Sequence, residues 1–244
     1  FVSRDLAFRP QPTLINQPPS LEHWFGTDEV GRDILARIIY GGRISLLVGL
    51  LAMLVALTLG ITMGSLAGYF GGVVDGLIMR LTDVVLSIPG IFLIIALSVF
   101  MGPSLRTIIL AIGFLNWMSV ARIVRSLFLT LKEMDYVTAA RCTGVKDQRI
   151  MIGHILPNAM APVVVAATLT VGSAILTETA VSYLGLGIQP PTPSWGNMLT
   201  NAQSYFDLAP WLAILPGAMI TLTVMSFNFL GDGLRDALDP RLRM

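Results

Sequence analysis

Side chains able to do acid–base, nucleophilic or metal chemistry are sparse and scattered in this sequence. The two histidines, His23 and His154, sit in distant segments with no metal-ligand spacing. The single cysteine, Cys142, excludes an internal disulfide framework and a cysteine-based zinc site. Neither a Ser-His-Asp set nor a catalytic carboxylate pair is recognisable, and two remote histidines offer little for general-base work. The glycine-rich stretches are Gly-Gly pairs and Gly185-Leu186-Gly187. None precedes a Lys-Ser/Thr, so no phosphate cradle of the P-loop kind is visible. These residues point away from catalysis, and we assign no metal and no cofactor to the chain itself. One acid stands out: Glu178, alone within a long apolar run.

The elements that must position these residues are set by hydrophobicity. Of 244 residues 54% are hydrophobic and 13% charged, about half the ~25% of a soluble domain, and the mean hydropathy is +0.74. That balance excludes a disordered chain and cannot cover a water-soluble globule. The net charge of +1 gives no electrostatic grip on nucleic acid. A helical bilayer span needs about 20 apolar residues. Asp, Glu, Lys and Arg are absent from 44–74, 84–105, 107–121, 150–177, 179–206 and 208–231. The loop-like stretch QPPTPSWGN lies within the fifth of these runs. The expected architecture is an all-α polytopic helical bundle, with transmembrane helices at 45–69, 84–102, 106–128, 159–184 and 209–231. The runs are continuously apolar rather than alternating, which argues against a β-barrel. Gly49, Gly60, Gly64, Gly113, Gly172 and Gly217 would let helix backbones approach closely, and Pro89 and Pro216 should kink their helices.

Sidedness follows from the basic residues. Segment 129–150 carries Lys132, Arg141, Lys146 and Arg149, preceded by Arg122 and Arg125, and the C-terminal tail carries Arg235, Arg241 and Arg243. Two spans separate these regions, so both lie on one side, which the positive-inside rule makes cytoplasmic. Three spans then put residues 1–43 outside, against the pull of Arg4, Arg9, Arg32, Arg37 and Arg43. The nearby acids Asp5, Glu22, Asp28, Glu29 and Asp33 soften that conflict little. A further helix upstream of Phe1 would resolve it, and we expect one. The resulting organisation is an extracytoplasmic segment (1–43), a transmembrane domain (44–231) containing a cytoplasmic loop (132–157), and a cytoplasmic tail (232–244).

Within the outer segment, GTDEVGRDILARIIYGG reads as an interfacial amphipathic helix. Val30, Ile34, Leu35, Ile38 and Ile39 share its apolar face and Asp33 pairs with Arg37 at i,i+4. Thr27 or Asp28 would cap it, and Gly41-Gly42 would release it into the next span. Asp75, Arg80 and Asp83 read as interface charges, with Asp83 able to pair with Arg80. Trp195, Tyr205 and Trp211 fit an outer aromatic belt. Glu178, Asn116 and Trp117 are candidates for lining a path through the membrane. A buried charge at the bilayer centre costs about 2.5–3.5 kcal/mol, so Glu178 should face a cavity or a hydrogen-bonding neighbour.

The most informative stretch is DYVTAARCTGVKDQRIMIGHILPNA. Asp135 is placed to cap a short helix over Tyr136–Thr143. Ala139 and Ala140 give that helix a face without bulk, and Gly144 suits the left-handed residue that ends it. Asp147 can cap a second short helix reaching about Leu156, which Pro157 then breaks. Two short helices tethered at both ends could sit in a groove of another protein and pass a push to the spans.

This pattern resembles the cytoplasmic signature loop of ABC importer permeases: Glu-Ala-Ala, three free positions, Gly, nine free positions, Ile, one free position, Leu-Pro. Ala139, Ala140, Gly144, Leu156 and Pro157 match at the expected spacing. Thr138 replaces the Glu, and His154 stands at the Ile position with Ile155 beside it. More specifically, HWFGTDEVGRDILARIIYGGRISLLVG, GYFGGVVDGLIMRLTDV, ARIVRSL, SYLGLGIQPPTPSWGNML and FNFLGDGLRDALDPRLR resemble the second permease of the dipeptide/oligopeptide/nickel importer family.

The resemblance implies a type I ABC importer fold in a bacterial or archaeal cytoplasmic membrane. It implies a heterodimer with a sister permease, two ATP-binding subunits that supply ATP and Mg, and an extracytoplasmic solute-binding protein. It makes Asp135, Tyr136, Thr138, Ala139, Ala140, Gly144, Ile155, Leu156 and Pro157 the ATPase-coupling loop. Peptides are the implied cargo, with nickel chelates or glutathione-like solutes as alternatives. An ion-coupled secondary transporter is the rival class. It would need ionisable groups near the midplane and often inverted repeats; Glu178 is nearly the only candidate, and no repeat is seen.

Overall fold

The computed structural model describes residues 4–238. The described residues form α1 (Arg4–Phe8), α2 (Ile34–Phe70), α3 (Gly72–Leu86), α4 (Gly90–Met101), α5 (Leu105–Leu131), α6 (Asp135–Cys142), α7 (Asp147–Ile150), α8 (Leu156–Tyr183), α9 (Trp195–Met198) and α10 (Trp211–Leu238). Helices α2, α5, α10 and the run Asp147–Tyr183 are each long and apolar enough to cross a bilayer. Helices α3 and α4, bent by 83°, make a fifth candidate as a pair. A helix satisfies its own backbone hydrogen bonds, which is why unbroken apolar runs in lipid take this form.

Four of the expected spans fall on α2, α5, α8 and α10, with bounds that differ by up to eleven residues at one end. The one placed at 84–102 does not. Its residues are divided between the end of α3 and the whole of α4, around Ser87, Ile88 and Pro89. Pro89 has no N–H to donate, and it disfavours helical backbone at Ile88. The proline therefore splits the element rather than merely kinking it. Pro216, by contrast, lies inside α10, which runs past it without interruption.

The separate interfacial helix is also corrected. Thr27–Asp33 is an irregular segment, and the residues from Ile34 onward belong to a single α2 of 37 residues, about 55 Å at 1.5 Å per residue. Gly41 and Gly42 do not release the chain. Their missing side chains admit other atoms: a Cβ on Gly42 would lie 2.8 Å from the Trp195 ring, and one on Gly41 3.3 Å from the Ser194 backbone. The helix cap is Asp33, whose Oδ1 accepts the Ala36 N–H at 2.7 Å. Its Oδ2 meets His23 Nδ1 at 2.8 Å. Arg37 turns instead to Asp28, 3.3 Å away, and Asp28 also takes Arg32 at 2.6 Å.

The chain divides into two compact units. The first comprises Phe1–Leu51, Ile91–Ile112 and Gly172–Ser226, and the second Ala52–Gly90, Gly113–Val171 and Phe227–Met244. In the second unit Gly60, Gly64 and Gly68 form a bare stripe along α2 that receives α5. A Cβ at Gly64 would stand 2.5 Å from the Ala121 carbonyl, and one at Gly68 2.6 Å from Phe128 Cβ. Close backbone approach of this kind takes the place of hydrophobic drive within lipid. Below it lies a core of Phe128, Val137, Ile150, Ile155, Ala159 and Val163.

Candidate functional site

The signature segment folds as two short helices joined by an elbow. Helix α6 begins one residue earlier than its sequence suggests: Met134 is the N-cap in extended backbone and makes no side-chain cap. Asp135 is the first helical residue, where its charge suits the positive end of the helix. The helix has two faces. Val137 and Ala140 are buried against Ile150 and Ile155. Asp135, Tyr136, Thr138 and Ala139 are exposed. The two alanines expected to share a bare outer face therefore divide, Ala139 outward and Ala140 inward.

The elbow is a complete Schellman motif. The Val145 N–H donates to the Ala140 carbonyl at 3.1 Å and the Gly144 N–H to Arg141 at 2.9 Å. Val145 packs beside Ala140 in the core, supplying the accompanying apolar contact. Gly144 has φ of +76° and open space where a Cβ would be, so its requirement is conformational alone.

Helix α7 is capped by backbone geometry at Lys146, and Asp147 is its first residue. The Asp147 carboxylate accepts the Tyr69 hydroxyl at 2.6 Å, and the Arg141 guanidinium lies over the Tyr69 ring, 5.4 Å from its centre. Pro157 does not break the chain as expected. A π-turn over Met151–Ile155 carries α7 into α8, with the Leu156 N–H reaching back to Met151. The wider turn shifts the hydrogen-bond register just ahead of a residue that has no N–H to donate. Ile155 is buried, Leu156 half-buried against the same core and Pro157 exposed.

The charges expected at membrane edges have other partners than supposed. Asp75 holds Arg125 through both carboxylate oxygens, the Nη2 contact being 2.6 Å. Asp83 takes Arg122 at 2.7 Å instead of Arg80.

Glu178 is fully buried. Ser182 Oγ donates to it at 2.7 Å and Ser45 Oγ at 3.3 Å. Ser45 in turn accepts the Trp195 N–H at 3.1 Å, and Ser182 accepts the Ile188 N–H at 3.2 Å. The carboxylate thus binds the loop before α9 to α2 and α8. Trp195 is buried, its indole N–H bonded to the Ile38 carbonyl at 3.0 Å, so it is no part of an aromatic belt. Trp211 is half-buried and reaches the Thr27 carbonyl at 3.3 Å. Trp117 is buried in a cluster with Met118 and Ala121, against which Leu59, Met63, Val85 and Leu115 pack, and Asn116 is half-buried. None of these placements gives Glu178 or Trp117 an open surface. A groove of about 600 Å³ does open in the second unit, lined by Ile123, Asn158, Pro162, Val165, Leu169 and Arg235. Arg241 and Arg243 lie outside the described residues.

Ser182 stands four residues from Glu178, a helical spacing that flags the pair in the sequence. Tyr69 carries no such signal, because 78 positions separate it from Asp147.

Comparison with solved structures gives the fold. The fold resembles a chain of the MetNI methionine ABC transporter in inward-facing crystals, with TM-score 0.68 and 18% identity over 83% of this chain and 96% of that one. It also resembles an amino acid ABC transporter crystallised with histidines, with TM-score 0.59 and 17% identity over 84% and 95%. This is the polytopic helical fold of an ABC transporter permease.

The chain belongs to the family of binding-protein-dependent transport system inner membrane components, whose model matches residues 60–244. It is 48% identical to the dipeptide transport system permease DppC of Alkalihalophilus pseudofirmus, over 93% of this chain and 75% of that protein. It is 46% identical to the glutathione transport system permease GsiD of Shigella flexneri, over 94% and 76%. The di/tripeptide permease DppC of Pseudomonas aeruginosa is 46% identical, over 89% and 72%.

Proposed function

We propose that this chain forms half of the translocation path of an ATP-driven peptide importer and that the α6–α7 elbow is where it receives work from an ATPase. The observation that carries this is the split character of α6: a filled apolar core beneath, and an exposed surface of the short side chains Asp135, Thr138 and Ala139 above. Such a surface costs the isolated chain nothing and suits a shallow groove in a partner.

The remaining assembly is a sister permease, two ATP-binding subunits carrying ATP and Mg, and an extracytoplasmic binding protein. The elbow, residues 132–157, and the tail face the cytoplasm, and the segment before Ile34 faces outward. Gly144, Ile155, Leu156 and Pro157 hold the elbow's shape. Asp135, Tyr136, Thr138 and Ala139 meet the ATPase. Glu178 serves the path by fixing the loop before α9, and the groove beside Asn158 and Arg235 replaces Glu178 and Trp117 as its candidate wall.

The test is uptake into proteoliposomes holding the full complex. Labelled dipeptide should accumulate only with hydrolysable ATP and the binding protein. Accumulation driven by a proton gradient in ATP-free vesicles would transfer the chain to the secondary-transporter class.

Glutathione-like cargo is the second reading, supported by the nearly equal identity to dipeptide and glutathione permeases. Titrating the cognate binding protein with a dipeptide and with glutathione separates the two.

A further inference from the structure

Three features converge on the cytoplasmic end of α2. Tyr69 is the penultimate residue of that helix and is buried in the core beneath the elbow. Its hydroxyl donates to Asp147 at the start of α7, while Arg141 near the end of α6 lies over its ring. Lys132, just before α6, donates to the Gly68 carbonyl at 3.0 Å. Immediately beyond, Gly71 and Gly72 both take positive φ, +64° and +51°. A Cβ on Gly72 would meet nothing. The two short helices are therefore fastened to the end of α2 by one side chain, and α2 ends there at a sharp double-glycine turn.

The elbow already has one mechanical outlet, since α7 passes through the π-turn directly into α8. We infer that Tyr69 is a second: a positioning residue that clamps both short helices to α2, so that displacement of the elbow moves α2 and α8 together. The contacts suit that task. The ring stacks with one helix and the hydroxyl binds the other, so neither α6 nor α7 can shift along α2 without breaking a contact. The charge of Asp147 strengthens the hydrogen bond it accepts, and the packed Tyr69 ring holds the hydroxyl in place to donate it. This inference rests on the elbow being the ATPase contact.

The chain's single cysteine, Cys142, is exposed at the end of α6 and offers a labelling site for testing the clamp without a new cysteine. Tyr69→Phe keeps the ring, its packing and the cation–π contact and deletes only the hydroxyl. In the purified full complex, a spin label on Cys142 should become more mobile in Tyr69→Phe and in Asp147→Ala, while Asp147→Asn, which still accepts, stays near wild type. Peptide transported per ATP hydrolysed should fall about fivefold in Tyr69→Phe, the factor expected from one hydrogen bond, with ATP hydrolysis itself retained. The Tyr69→Phe/Asp147→Ala double variant should be no worse than Asp147→Ala alone. Unchanged label mobility, or effects of the two substitutions that simply add, would overturn the clamp. If the wild-type complex shows no ATP-dependent uptake, the proposed function fails, yet the label mobility still decides whether the clamp exists.

Discussion

The Glu178 cluster and the α6–α7 elbow both end a helix on a Schellman turn, yet they treat polar groups in opposite ways. At the end of α8, Leu186 donates to Val181 and Gly185 to Ser182, with Gly185 at φ of +75°. The polar side chains nearby are spent inward: Glu178, Ser45 and Ser182 satisfy one another and two backbone N–H groups. At the elbow the same turn, with Gly144 at +76°, leaves Asp135, Thr138 and Ala139 of α6 outward over an apolar core, while Asp147 and Arg141 turn to Tyr69. The first region is complete within the chain. The second has a finished interior and an uncommitted exterior, which is what a docking element requires.

Substitutions that respect this contrast should rank predictably by the stability of the purified chain in detergent, followed by thermal unfolding. Glu178→Ala should cost most, about 3 kcal/mol, because it strands buried hydroxyls, whereas Glu178→Gln retains an acceptor and should recover much of the loss. An unaltered unfolding temperature in Glu178→Ala would mean the cluster is not a structural fastening. Gly64→Val comes next at about 2 kcal/mol, since its side chain would strike the Ala121 carbonyl and Val124. Gly144→Val should cost about 1 kcal/mol from backbone conformation alone, there being no atom to clash with. Its larger consequence should appear as ATP hydrolysis no longer matched to uptake. Ala139→Trp should leave stability within about 0.5 kcal/mol of wild type, as expected for an exposed site, while abolishing productive contact with the ATP-binding subunits. Normal coupled transport by that variant would remove the exterior of α6 from the mechanism.

Local features were legible in the sequence where a nearby residue enforced them. Four spans could be read from missing charges, and Gly144 from its place after a short helix. Several failures share one cause: a partner from elsewhere in the chain changed the meaning of a local signal. Gly41-Gly42 looks like a helix exit until Trp195 packs onto it. Asp33 looks like a partner for Arg37 until His23 and the Ala36 N–H claim its two oxygens. Glu178 leaves a cavity and a hydrogen-bonding neighbour both open in the sequence, and Ser45 from another helix supplies the neighbour. Pro89 reads as a kink and Pro157 as a break, and the outcomes are exchanged: α3 and α4 part at Pro89, while the π-turn before Pro157 absorbs the misfit. Caps moved by one residue at Asp135 and Asp147, where backbone geometry rather than a side chain closes the helix.

The π-turn also fixes an orientation. Ile150 and Ile155 are five positions apart, which on a regular α-helix would point them about 140° away from each other, yet both are fully buried in one core. The extra width of Met151–Ile155 swings them to the same side, and Ala159 and Val163 follow in that register. Removing one residue from that stretch would rotate everything C-terminal to it by about 100°. Which stripe of α8 faces protein is thus decided by a few residues ahead of its long apolar run.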